Sequence, residues 1–401
     1  MNETLGILER VAREREEYLA AVRTQGARRQ IYVYGAGMYG RQLAAFLQRY
    51  GIAVAGYAVT QAAYNQEHVG GLEVRPLADL LPAKDRLLFL VGVKESLQPA
   101  VERALREAGI SAYLRAPAHI AELLDAYIDR PVMEITPKAG CSVHCRYCPQ
   151  DLFLQRYFAE DRQAEMTFDE FRMYLDKMPK DIVVDFSGFV EPFLAKDGLR
   201  MVQYAHESGH DVRLFTTLVG LDLAAFKKIE DIPFKLVVLH LPDVHHYANI
   251  PVTDAYLELL LYVVARNRPD GEPFVTMANC QAAPDPRVAD IIGHRFLISW
   301  DLIDRAGNLE SENLRKKELS INENRGGYYC NRALRMNHNV LLPNGDVVLC
   351  CMDFGMQHVL GNLKRQSYEE IMQGREMRKI KQELLEAVHV ICGKCTSLRE
   401  V

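Results

Sequence analysis

Val132-Met133-Glu134-Ile135-Thr136 leads through Pro137-Lys138-Ala139-Gly140 into Cys141-Ser142-Val143-His144-Cys145-Arg146-Tyr147-Cys148. The first run reads as a buried strand, so the cysteines fall on one short loop at its C-terminal end. A cubane iron–sulfur cluster normally takes four thiolates. Three on one loop leave one iron open, able to chelate a small molecule through an amine and a carboxylate. Zinc would want a fourth ligand close by, and His144 is an awkward one on so tight a loop.

Downstream, apolar runs alternate with helical patterns. Strands are predicted at Val132–Thr136, Ile182–Ser187, Val212–Thr216, Lys235–Leu241, Phe274–Met277 and Phe296–Ile303. Helices fit Phe168–Lys177, Gly198–Glu207, Leu223–Ile229, Asp254–Ala265 and Arg287–Ile292. Six strand–helix units make a partial (β/α)6 barrel over 131–308, whose chemistry belongs at the C-terminal strand ends. A polar stretch, 310–327, reads as a linker. In the last block, 328–401, Val340–Leu342 and Val347–Leu349 flank an Asn344-Gly345 turn, and a helix is expected over Tyr368–Leu385. So small a block suits a cluster acting as a staple.

The triad resembles the signature of the radical S-adenosylmethionine superfamily, in which three and then two residues separate the cysteines and an aromatic, here Tyr147, precedes the last. The resemblance covers about 132–308. It implies a [4Fe–4S] cluster on Cys141, Cys145 and Cys148. Its open iron binds S-adenosylmethionine, and an electron splits the sulfonium to give a 5′-deoxyadenosyl radical that takes hydrogen from a substrate. Ser187-Gly188-Phe189-Val190-Glu191-Pro192 looks like the family's Gly-Gly-Glu-Pro segment, which holds the methionine ammonium. Phe189 and Val190 replace the two glycines, so only Glu191 and the backbone near Gly188 carry over. Thr216, with Thr217, closes the third strand, either to meet ribose or carboxylate or as a plain strand end. Arg305, in Asp304-Arg305-Ala306-Gly307-Asn308, is suited to a bidentate carboxylate contact or to a surface ion pair.

Cys330, Cys350, Cys392 and Cys395 supply four more thiolates, enough for a saturated cluster or a tetrahedral zinc knot. Their spacing resembles the SPASM and Twitch C-terminal domains of the same superfamily. That implies one auxiliary [4Fe–4S] cluster, which passes electrons and does not bind substrate. The family's glycine–four–cysteine spacing, Gly345 to Cys350, selects Cys350. Neighbouring Cys351 would point the other way on a strand and, like Cys280, reads as a buried apolar residue. Asp353 is a candidate base for the substrate or a turn-capping aspartate.

At the front, 1–29 reads as an amphipathic helix and 30–125 as a Rossmann-like parallel sheet. Gly35-x-Gly37-x-x-Gly40 follows Ile31–Tyr34 directly and opens a helix, the context of a dinucleotide fingerprint. The next strand ends Tyr57-Ala58-Val59-Thr60-Gln61, without the carboxylate that would bind ribose. The block resembles the N-terminal domains of bacterial sugar-modifying enzymes. It would bind a nucleotide sugar, NAD, or nothing, serving then as a docking domain.

The fold class is therefore α/β in three parts. Net charge of −5 argues against nucleic-acid and membrane-surface partners. No apolar run reaches the ~18 residues of a membrane span, and the chain is expected in the cytoplasm, where nine cysteines are unlikely to form disulfides. The resemblance implies a flavodoxin- or ferredoxin-type electron donor. His240, His245 and His246 follow the fourth strand without further metal ligands beside them in sequence; His245 or His246 could touch substrate, while Phe296 and Trp300 read as core. The leading expectation is radical dehydrogenation of a sugar, aminocyclitol or nucleotide sugar. A peptide-modifying maturase and a zinc-stapled binding protein are the alternatives.

Overall fold

The structure, a computed structural model of the 401-residue chain, describes residues 2–60, 68–93, 97–117, 130–268, 271, 273–293, 298–299, 305–309, 328–330, 333, 335–386, 391–395 and 397–400. The expected linker at 310–327, Phe296, Trp300 and Asp304 lie outside the described residues. The chain divides into two compact units, Met1–Ile128 and Asp129–Val401.

In the first unit a helix, Asn2–Gly26, precedes β1 (Gln30–Tyr34), β2 (Gly56–Val59), β3 (His68–Val69), β4 (Leu72–Pro76), β5 (Leu87–Val91) and β6 (Tyr113–Arg115). Their order is β3-β4-β2-β1-β5-β6, parallel except for β3 against β4. β1, β2 and β5 are almost wholly apolar and buried, as parallel strands covered on both faces must be. Two separate clusters cover the sheet, one around Val33, Leu43 and Leu88, the other around Tyr34, Phe89 and Leu105.

The second unit is built on one nine-stranded sheet. Its barrel strands are β7 (Val132–Ile135), β8 (Val183–Phe186), β9 (Val212–Thr216), β10 (Leu236–His240), β11 (Met277–Asn279) and β12 (Ile298–Ser299), all parallel. Helices Phe168–Asp176, Gly198–Glu207, Leu223–Phe226, Asp254–Ala265 and Pro286–Ile292 lie between them along the chain. Local chemistry sets the starts of these helices. Thr167 and Glu170 make a capping box, and Asp222 and Thr253 each accept from a backbone amide three residues on.

Four more strands complete the unit, together with a partner for one of them: β14 (His338–Leu341), β15 (Asp346–Val348) and β16 (Val359–Asn362) join the sheet, and β13 (Tyr328–Cys330) pairs with β17 (Leu398–Glu400) in a separate ribbon. β14 pairs in parallel with β7, from His338 opposite Val132 to Leu341 opposite Ile135. The hairpin β14–β15 and strand β16 therefore extend the barrel sheet. Two sequence expectations shift. β11 begins at Met277, three residues late; the Phe274 amide donates to the Arg266 carbonyl at 2.9 Å and so is not in the strand ladder. The long C-terminal helix is two helices, Tyr368–Met372 and Arg375–Glu386. The first ends at Met372, and Gly374 lies between the two, where a Cβ would be 2.9 Å from the Ile371 carbonyl oxygen.

Candidate cluster sites at the barrel mouth and in the C-terminal segment

The loop after β7 places Cys141, Cys145 and Cys148 at the C-terminal end of the first barrel strand. The Cys148 amide donates to the Cys145 carbonyl at 3.0 Å, a turn that brings the later two cysteines together. Two backbone bonds fasten this loop to the one after β10: Arg146 N–H to Tyr247 O at 2.7 Å and Asn249 N–H to Val143 O at 2.7 Å. Burial pushes the Cys145 thiol up to about 12; a hydrogen bond from Tyr147 opposes this, and the Cys148 and Cys141 thiols add to it. Cys148 is pushed up to about 11, again by burial first, with the Arg305 cation opposing. These thiols are neutral until a metal displaces their protons. Tyr147 is part-buried and its hydroxyl bonds Cys145, so it braces the loop. His144 is exposed, with a positive φ of 47°.

Glu191 and Thr216 meet. The Thr216 hydroxyl donates to one Glu191 oxygen at 2.8 Å; the Thr217 amide and hydroxyl donate to the other at 2.6 and 2.7 Å. Glu191 is buried, and desolvation outweighs these bonds and raises it to about 7. The contacts tie the ends of β8 and β9 together, and the Thr216 hydroxyl is engaged in that tie. Gly188 is explained by close approach: a Cβ there would lie 2.4 Å from the Ile135 carbonyl oxygen. Phe189, at a family glycine position, packs its ring 4.9 Å from Phe153 and 4.3 Å from Phe354. Arg305 stands over Phe354, its guanidinium carbon 5.7 Å from the ring centre, and its charge reaches both Cys148 and His240. Arg305, Ala306 and Gly307 all have left-handed φ, at 51°, 55° and 77°. Two consecutive non-glycine residues there cost about 1–3 kcal/mol each.

Sequence reasoning missed the interior of the barrel. Phe186, Leu214, Leu239 and Ala278 belong to the core cluster, so their neighbours Ser187, Phe215, His240 and Asn279 face inward. Each of these four is part-exposed. Deeper lie Glu134, Asp185 and Arg213, in register on β7, β8 and β9. Arg213 and Asp185 are 3.8 Å apart and almost fully buried, and the Ser187 hydroxyl donates to Glu134 at 3.0 Å. His240 is pushed down to about 4, by desolvation and then by Arg305, and so presents a neutral imidazole. Strand alternation was the signal that would have found this set. His245 and His246 are exposed.

Cys330, Cys350, Cys392 and Cys395 line one cavity, together with Glu134, Met336 and Leu349. β13 pairs Cys330 with Leu398, bringing it beside the Cys392–Cys395 turn. Cys351 lines the same cavity, which corrects the expectation that it faces away. The strand premise fails because β15 ends at Val348, before either cysteine. Among the described residues no three His, Cys, Asp or Glu side chains converge as they would on a single ion. The thiols line one space. Asp353 is fully buried and accepts the amides of Gln357 and His358 at 2.8 and 2.9 Å, one on each oxygen. It caps a turn, the second of the two readings of its position.

In the first unit Gly35 has φ 107°, and a Cβ would strike Val93 at 2.7 Å. A Cβ on Gly40 would lie 1.7 Å from the Gly35 carbonyl oxygen. Gly37 precedes the helix Met38–Arg49 without a side-chain cap. At the end of β2, Thr60 bonds the Tyr34 hydroxyl at 2.7 Å.

Residues 330–396 match the SPASM family, an iron–sulfur cluster-binding domain. The C-terminal segment thus matches a SPASM domain, and the five cysteines that line the cavity fall within the matched residues, whereas Glu134 comes from β7. No curated protein matches the chain. Among solved structures, the chain is similar to BtrN in complex with AdoMet and 2-DOIA, at 15% identity over 68% of this chain and 94% of that one, TM-score 0.44. It is also similar to Streptococcus suis SuiB bound to precursor peptide SuiA, at 13% identity over 70% and 77%, TM-score 0.42. For anSMEcpe with bound AdoMet the values are 14%, 66%, 86% and 0.38. No described helix is long and apolar enough to cross a membrane.

Proposed function

We propose that the chain is a radical S-adenosylmethionine oxidoreductase acting on a small polyhydroxylated substrate, a sugar, aminocyclitol or nucleotide sugar. The observation that carries the reading is the pair of thiol sites built on one sheet: three cysteines at the end of β7, and the SPASM cavity beyond β14, which pairs with β7. When bound, a cluster and S-adenosylmethionine at the first site would supply a hydrogen-abstracting radical, and a cluster at the second a one-electron acceptor.

Cys141, Cys145 and Cys148 would hold the first cluster and leave one iron without a protein ligand. Arg305, over Phe354 and close enough to act on Cys148, is the cation for the cofactor's carboxylate. Glu191 and Gly188 shape the wall beneath it, Glu191 by fixing Thr216 and Thr217 and Gly188 by admitting the Ile135 carbonyl. Ser187, His240 and Asn279 turn hydroxyl, imidazole and amide groups into the barrel beside the Phe215 ring. That mixture suits the hydroxyls and ring faces of a polyol. The electron donor to the first cluster would be of flavodoxin or ferredoxin type. In the first unit the Gly35–Gly40 turn is the place for a nucleotide phosphate, at the start of a helix. With no carboxylate at the end of β2, it suits a nucleotide sugar better than NAD.

Anaerobically reconstituted protein should carry about eight irons and release 5′-deoxyadenosine from S-adenosylmethionine under reduction. Cys141→Ala/Cys145→Ala/Cys148→Ala should keep about four irons and release none. A panel of amino-inositols and nucleotide sugars should raise that release. Release driven by a peptide and by no polyol would overturn the substrate class, and unchanged release by the triple variant would overturn the reaction.

A further inference from the structure

The SPASM cavity contains one thiol more than a four-iron cluster needs. Cys330, Cys350, Cys351, Cys392 and Cys395 all line it, whereas a saturated cluster takes four. On a regular strand, adjacent side chains point to opposite faces, and only one of Cys350 and Cys351 would reach inward. The chain avoids that constraint here. The register shifts between Val347 and Val348, β15 ends at Val348, and the Asp353 amide then closes a turn on the Cys350 carbonyl at 3.0 Å. Asp353 in turn accepts the Gln357 and His358 amides, so the turn is fixed by its own buried cap. Cys350 and Cys351 are thus held on a turn from which both side chains line one space.

We propose that Cys350 and Cys351 are interchangeable ligands of the C-terminal cluster, either of which completes the set with Cys330, Cys392 and Cys395. This rests on the reading of the cavity as a cluster site. With a cluster bound, exchange would break one iron–sulfur bond and form another, and the proton of the incoming Cys351 thiol would pass to the outgoing Cys350 thiolate, leaving charge and oxidation state unchanged. The thiol left over can donate a weak hydrogen bond to a ligand sulfur, one of the devices that set a cluster's potential. Loss of Cys350 to oxidation would then leave the cluster in place.

The test is iron and sulfide content, with the EPR spectrum after reduction, in the full chain lacking the triad thiols (Cys141→Ala/Cys145→Ala/Cys148→Ala). That parent should hold about four irons. Adding Cys350→Ala, or separately Cys351→Ala, should leave about four, with the EPR signal shifted in the Cys350 variant; removing both should abolish the cluster. Loss of the cluster from Cys350→Ala alone would overturn the proposal, as would its survival without both. Should the alanine variant precipitate, Cys350→Val, which fills similar space and offers iron no donor atom, reads the same outcomes. No iron in the parent would overturn the cluster reading itself and this proposal with it.

Discussion

Thr217 gives both its backbone amide and its hydroxyl to a single oxygen of Glu191, at 2.6 and 2.7 Å. A carboxylate so engaged would ordinarily titrate low, but full burial reverses the balance and raises it to about 7. The folded state therefore binds this proton more tightly than the unfolded chain. Its contribution is complete below the ordinary glutamate range and is lost as pH rises through about 7. Each tenfold gain in proton affinity is worth about 1.4 kcal/mol, which puts roughly 3 kcal/mol at stake. Thermal melts of the apoprotein should show it: Glu191→Gln should flatten the decline in Tm between pH 5 and 7.5. An identical slope in the variant would refute the assignment.

Glu170 should show the opposite dependence. Burial alone would raise it, but hydrogen bonds from Lys364, Thr167 and Gln163 hold it down to about 2. Its stabilisation is present above the ordinary glutamate range and fades as pH falls toward 2. Glu170→Gln should lose stability at pH 7 and converge on the parent protein near pH 2.5, followed by urea unfolding.

Phe189 fills the position of a family glycine, and its ring lies between those of Phe153 and Phe354. Phe189→Ala should cost about 3–5 kcal/mol, the range for a fully buried ring. A shift of C-terminal EPR signals on the same substitution would show that Phe354, next to Asp353 on the turn after Cys350, had moved with it. A loss under about 1 kcal/mol would mean the ring is not packed as described.

Arg305 and desolvation together hold His240 down to about 4. Arg305→Met should raise the imidazole's titration, followed by NMR, because the cation no longer opposes a second positive charge. Desolvation is the larger cause, so the value should stay below that of a free histidine. No movement would separate the two residues.

Gly40 admits no side chain, since a Cβ would lie 1.7 Å from the Gly35 carbonyl oxygen. Gly40→Ala should unfold the first unit at lower temperature while iron content, a property of the second, stays at the parent level. Equal melting of variant and parent would contradict the turn.

Much of this architecture was legible in the residues. Val, Ile, Leu and Phe dominate β7 to β10, so these strands could be placed within a residue or two although Glu134, Asp185 and Arg213 interrupt the apolar runs. The triad and the four C-terminal cysteines announced themselves by number and spacing. What failed did so where a local rule met a tertiary exception. Alternation was applied to Cys351, which sits past the strand's end. Asp353 was weighed as a base because sequence does not show that two amides, four and five residues on, would take both its oxygens. The bonds from Thr216 and Thr217 to Glu191 were hidden because those partners lie at the end of another strand. The inward row was hidden because each strand is short and its polar members Ser187, His240 and Asn279 sit at or just past a strand end.

The pairing of β14 with β7 joins residues about two hundred positions apart. At synthesis rates of about 5–20 residues per second, β7 leaves the ribosome roughly 10–40 seconds before its neighbour exists. Through that interval one side of a hydrophobic strand has no hydrogen-bonding mate, a template for pairing with other nascent chains. A newly made copy therefore depends on its last segment to seal its first barrel strand, and a message truncated before β14 would yield an aggregating product rather than a smaller enzyme.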